Sequence, residues 1–438
     1  MTMKIPCRFA PRAAAYLLSG LMLATLAFTA GAAELTVPAA AEWHKDFDVD
    51  KATQAWIDTL PAAARARSDA YFEGGYWLQV WGLLWSLAVA AWWLMGKRAA
   101  RLRDLIGRHA GGPWRQAAVF AAIFLVVSWV LTLPLDIYQN WYRERQYELA
   151  TQTFLPWFGE QLLSLAIDVL IGAPVIATIY AAVRRAREHA WVWASGIVTA
   201  VIIVLVALSP VFIAPLFNDY KPLEAGPVRD QILSLARANG VPADNVYRFD
   251  ASRQTTRISA NVSGALGTTR ISLNDNLLEH TSLPEIRAVM AHEMGHYVLH
   301  HGWKTIIGYA LVIALLLYLL QRILSRFVAR RGARFGIYDR GDIAGLPLAM
   351  AILSVLGFLA TPVFNNITRV FESEADIFGL NAAGEPEGFA SVAMRLSTYR
   401  KISPGPIEEV IFYDHPSGHT RVQMAMRWLA EHPPASTR

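Results

Sequence analysis

The chain has 438 residues, 54% of them hydrophobic and only 17% charged, which is too apolar for a soluble protein of this length and marks an integral membrane protein. Its net charge of +5 does not point to a nucleic-acid partner, because the basic residues cluster between apolar spans. A single cysteine, Cys7, excludes an intramolecular disulfide framework and any Cys-based zinc knuckle, so a metal here needs histidine and carboxylate ligands.

In chain order, Lys4, Arg8 and Arg12 precede an uncharged run at 13–33 that ends in small residues. The run reads equally as a cleaved signal peptide or as a first membrane span. Residues 34–74 are polar and mixed, with an amphipathic stretch at 50–60, and read as an extramembrane connector. Four apolar runs follow within 75–217, at 76–96, 116–135, 161–183 and 190–217. Two more, at 303–320 and 345–363, lie within 303–364. Each is long enough to cross roughly 30 Å of hydrocarbon. Trp77, Trp114, Trp157, Trp191 and Trp303 sit at the ends of these runs, where an amphipathic ring prefers the interface. Asp168, in the middle of one run, requires water or a partner.

The basic residues alternate sides. One set of connectors, which includes Lys97 to Arg115 and Arg322 to Arg340, carries 18 Lys and Arg, whereas the short connectors opposite carry six. The positive-inside rule makes the first set cytoplasmic and puts 218–302 and the C-terminal part, 365–438, outside the cytoplasm.

Residues 218–302 carry a short α/β pattern, with a helix at 227–239 and a strand at 246–250. A hairpin follows at 258–265 and 269–273. Ser282 and Glu285 form a capping-box pair that starts a further helix, and that helix carries HEMGH at 292–296. Histidines four apart lie on one helical face, so His292 and His296 can reach one ion, with Glu293 beside them as general base. A hydrolytic zinc site needs a third protein ligand and an open fourth position. The best candidate lies past the last span in FESEAD, 371–376. Glu372 and Asp376 share a face, as ligand and as a carboxylate orienting a ligand histidine, while Glu374 points to the other side. The competing reading is an acidic helix start favoured by the helix dipole. His300, four beyond His296, could join it on a metal; the competing reading is that His300 and His301 are interface histidines at a helix end. In DHPSGHTR, 414–421, His415 is either a surface histidine or a donor to a developing oxyanion.

HEMGH, two spans, FESEAD and DHPSGHTR, in that order, resemble the type I CaaX prenyl endopeptidases, integral-membrane zinc proteases that convert a-factor. The stretches APLFNDYKPLE at 214–224 and RISLNDNLL at 270–278 extend the likeness over most of the chain. The resemblance implies a mostly α, polytopic fold of about seven transmembrane helices around an internal water-filled chamber. To this is added a small α/β zinc-protease domain whose HExxH helix packs on a short sheet, and the first segment would be a retained span. It implies one Zn2+ per chain held by His292, His296 and Glu372, with Glu293 as base and Asp376 in support. His415 and Arg421 would lie near substrate and transition state, and Asn261 at the start of an edge strand along which substrate backbone lies. Its partners are then a peptide or membrane-protein substrate and the lipid bilayer, and its Ala-rich start points to a bacterial inner membrane. Two other readings are a membrane-protein quality-control zinc protease, which carries fewer helices, and a non-proteolytic metal transporter, which would place ionisable residues in several spans.

Overall fold

The structure is a computed structural model that describes residues 35–263 and 269–434. The run at 13–33 lies outside the described residues, so the expected total of seven helices includes one that the structure does not describe. Helix α1 (Val49–Asp58) starts where the Asp48 side chain accepts from the backbone N–H groups of Asp50 and Lys51. Helices α2 (Ala62–Leu94) and α3 (Arg98–Gly107) meet at a kink made by Gly96 (φ 61°) and Lys97 (φ 56°). Helices α4 (Pro113–Ile137), α5 (Phe154–Ala186) and α6 (Ala190–Leu208) follow.

Then come β1 (Tyr220–Pro222), α7 (Pro227–Ala238), β2 (Val246–Phe249), β3 (Ala260–Ser263), β4 (Arg270–Asn274), α8 (Asp275–His280) and α9 (Leu283–Val298). The chain ends with α10 (His301–Phe335), α11 (Leu346–Ala383), α12 (Pro386–Leu396), α13 (Pro406–Phe412) and α14 (Gly418–Glu431).

Among the described residues, five continuous helical segments are long and apolar enough to cross a membrane, at 62–107, 113–146, 154–216, 301–335 and 343–383. The segment 154–216 folds back at Arg187 (φ 44°), so that α5 and α6 pack against each other. Leu170, Leu311 and Leu359 on these helices are 75%, 70% and 67% exposed, as expected of apolar side chains in a membrane. The basic connectors gather at one end of these helices. There Arg103 pairs with Asp342 and donates to the Gly336 carbonyl (2.9 Å), and Arg340 pairs with Glu188 (2.9 Å).

At the opposite end a four-stranded sheet runs in the order β1-β2-β4-β3, with β2 and β4 parallel and the outer pairs antiparallel. The predicted hairpin is present as β3 and β4, and β3 is an edge strand. Helices α7 and α9 pack on the sheet through a buried core that includes Ile232, Ile271, Leu273, Ile286, Met290 and Met294. The capping box that starts α9 is formed: Glu285 accepts from the Ser282 backbone N–H (2.7 Å) and hydroxyl (2.8 Å).

The segment read as an extramembrane connector is packed against the protease end. The apolar face of α1 buries Ala52, Trp56 and Ile57 against Val422, Ala425 and Met426 of α14, and α2 starts at Ala62, before the apolar run that marked the span. FESEAD, for its part, does not start a new helix after the last span. It lies on the same 38-residue helix, α11, because hydropathy reports only where lipid ends. Beyond that point the helix is held by protein: the amides of Asn365 and Asn366 donate to the carbonyls of Ile411 (2.9 Å) and Val410 (2.8 Å).

Candidate metal centre

Helix α9 crosses α11 at two glycines. A Cβ at Gly295 would meet the Cα of Ala375 at 3.2 Å, and one at Gly379 would meet the backbone nitrogen of His292 at 3.0 Å. The two backbones therefore approach closely enough for short carboxylate side chains of α11 to reach the histidines of α9. Nε2 of His292 and Nε2 of His296 lie 3.1 Å apart, and the Glu372 carboxylate is 3.3 Å from the first and 3.4 Å from the second. These are the three predicted ligands, and one donor atom from each falls within 4.8 Å of the others.

The other predicted residues surround this cluster. Asp376, fully buried, has one oxygen 2.8 Å from Nδ1 of His292 and the other accepting from Nε of Arg421 (2.9 Å). Arg421 also donates through Nη2 to Glu372 (3.2 Å), to the same oxygen that lies 3.3 Å from Nε2 of His292, while the other oxygen faces His296. Nε2 of His415 is 3.3 Å from Glu372, and its Nδ1 is 2.8 Å from Asp414. Glu293 lines the same cavity of about 240 Å³, together with Ile258, Ser259, Ala260 and Tyr399. Burial pushes the Glu293 carboxyl up to about 7, with the neighbouring Glu372 carboxylate acting in the same direction.

The donor set fits a cation. Burial opposes protonation of His292, but the carboxylates of Asp376 and Glu372 outweigh it and raise the ring to about 10. His296, by contrast, is lowered to about 4 by its burial and by the charge on His292. Two imidazoles and a carboxylate whose donor atoms converge on one point match the nitrogen and oxygen ligands that zinc takes.

Asn261 stands apart from this group. Its neighbours Ala260 and Val262 pack toward the α9 core, so its side chain emerges on the opposite face of the sheet. There it lines a second cavity with Ser263, Arg270 and Ser272. Asp168 is exposed on α5, with no ion pair among the described residues. Two residues set aside in the sequence reading do reach the cluster. His301, 2% exposed, lies with Nδ1 3.1 Å from Nδ1 of His296, and its Nε2 is 3.0 Å from Glu374. Their signal was the continued acid spacing of FESEAD, in which Glu374 faces α10 while its neighbours face α9.

Residues 222–438 match peptidase family M48, and residues 50–219 match the CAAX prenyl protease N-terminal region of five membrane helices. The metalloprotease YhfN of Bacillus subtilis is 31% identical over 321 residues, which is 72% of this chain and 75% of that protein. A CAAX prenyl protease 1 homolog of Oryza sativa is 27% identical over 322 residues, 73% of this chain and 75% of its own. The crystal structure of Ste24p from S. mikatae shares the fold, with a TM-score of 0.70 over 84% of this chain and 90% of that one at 22% identity.

The chain is thus an integral-membrane metalloprotease of the CAAX prenyl protease type, as the three sequence motifs implied. It belongs to peptidase family M48.

Proposed function

We propose that the chain is a zinc endopeptidase, with His292, His296 and Glu372 as ligands and Glu293 as general base. One observation carries it: a carboxylate that two membrane helices separate from HEMGH in sequence lies within 3.3 Å and 3.4 Å of the two imidazoles. Zinc, when bound there, supplies Lewis acidity that activates water and polarises a scissile carbonyl. Glu293 takes the proton from the attacking water and passes it to the leaving amine, and its raised carboxyl suits both halves of that transfer. His415, whose Nδ1 is 2.8 Å from Asp414, presents Nε2 to the cavity as donor to the developing oxyanion. Asp376 orients His292, and Arg421 holds both acidic side chains in place.

The free edge of β3 starts at Ala260, which lines the catalytic cavity, and offers backbone groups to an extended peptide. The backbone groups that face this edge are those of Ala260 and Val262, while Asn261, opposite Ser272, turns its own toward β4. The substrate is a peptide or a membrane-associated protein, and the relatives called CAAX prenyl proteases make a C-terminally prenylated chain the first to test. About seven membrane helices enclose the approach to the site. The protease elements 218–302 and 365–438 face the extracytoplasmic side of a bacterial inner membrane, with the basic connectors in the cytoplasm.

The test is Glu293→Gln. Peptide cleavage should fall by about 10²- to 10⁴-fold while zinc remains bound. Undiminished cleavage removes Glu293 from the mechanism.

A further inference from the structure

Of the two HEMGH histidines, His292 has a carboxylate behind it and His296 has another histidine. We infer that His301, backed by Glu374, is the positioning residue that holds His296 in its metal-facing orientation. The inference rests on the proposed reading of His296 as a ligand.

The backbone makes the placement. Helix α9 ends at Val298, and the chain reverses at His300, a non-glycine residue held in the left-handed region (φ 57°). That reversal makes His301 the first residue of α10 and turns its ring back toward α9 and α11. The ring stacks on Phe371 of α11, with centroids 5.0 Å apart. Its two nitrogens face one partner each, Nδ1 of His296 at 3.1 Å and Glu374 at 3.0 Å. Glu374 is also 3.6 Å from Lys304, one turn further along α10.

Proton bookkeeping allows one arrangement. Nε2 of His296 faces His292 and Glu372, so a ligand role for that nitrogen leaves the ring hydrogen on Nδ1. That N–H has Nδ1 of His301 as its acceptor. His301 then carries its own hydrogen on Nε2, which donates to Glu374. Every N–H has an acceptor, and both rings are fixed in tautomer and rotation. The three acids of FESEAD thereby divide the work: Glu372 faces the metal position, Asp376 fixes His292, and Glu374 fixes His296 through His301.

The experiment is competition for zinc between a chelator and the purified full-length protein. It compares the wild type, His301→Ala and His301→Asn, with thermal unfolding of each zinc-free form as the control for folding. His301→Ala removes the acceptor and should weaken zinc affinity by about 10- to 100-fold. His301→Asn, whose amide oxygen can occupy the accepting position, should recover most of that loss. Saturating zinc should restore cleavage to His301→Ala, because the catalytic groups are untouched. Wild-type affinity in His301→Ala overturns the inference, and so does an Asn variant as weak as the Ala variant despite unchanged thermal unfolding. A wild type that takes up no zinc refutes the ligand reading instead, which is a separate outcome.

Discussion

A Cβ placed on Gly379 would stand 3.0 Å from the backbone nitrogen of His292 and 3.1 Å from its Cα. Backbone atoms cannot rotate away as a side chain can, so the missing side chain at Gly379 sets how closely α11 approaches the HEMGH helix. Gly379→Ala should push the helices apart and draw Glu372 and Asp376 back from the imidazoles. Overpacking of this kind costs about 1–3 kcal/mol. A lowered thermal midpoint together with weaker zinc retention would bear this out, whereas unchanged retention would show that the carboxylates do not depend on the crossing.

The acid sensitivity of the fold should pass through Glu285. Burial opposes its ionisation, but the Arg395 guanidinium (2.5 Å), the Ser282 backbone and the Ser391 hydroxyl (2.7 Å) outweigh it and hold the carboxyl below its ordinary value of 4.5. A depressed folded-state pKa means that the carboxylate's stabilisation is fully present above the ordinary glutamate range and is lost as pH falls through the folded value. Glu285→Gln should therefore be less stable than the wild type at neutral pH, and the gap should close on acidification. Denaturation measured across the acid range checks this, and a constant gap would contradict it.

Trp56 tests the attachment of the N-terminal helix to the protease end. It is 2% exposed, in one core with Val422 and Met426. Trp56→Ala should cost about 3–5 kcal/mol. A loss confined to local fraying near residue 50, with the zinc-site end unchanged in hydrogen exchange, would mean that α1 is only appended.

Much of this architecture was legible in the sequence because membrane spans, capping boxes and metal motifs are local or near-local signals. Ser282 and Glu285 marked the start of α9, and HEMGH with FESEAD named the acids and imidazoles that meet. What escaped is non-local. The pairing of α1 with α14 joins residues more than 300 apart, and an amphipathic stretch does not say what covers it. Gly295 and Gly379 looked like ordinary helix residues until the crossing was seen. His301 looked like an interface histidine because its position depends on a left-handed residue at His300, which sequence spacing does not reveal.

Orientation in the membrane has its own test. An enzyme reporter active only outside the cytoplasm, fused after residue 438, should be active if the basic connectors face the cytoplasm. An inactive fusion of normal abundance would reverse the assignment.

The most direct measurement is the zinc content of the purified protein beside that of Glu372→Ala. One zinc per wild-type chain is expected, and its loss from the variant under the same mild chelation, because two imidazoles alone fall short of the three protein ligands a hydrolytic zinc site needs. A Glu372→Ala protein that keeps zinc as firmly as the wild type would contradict this.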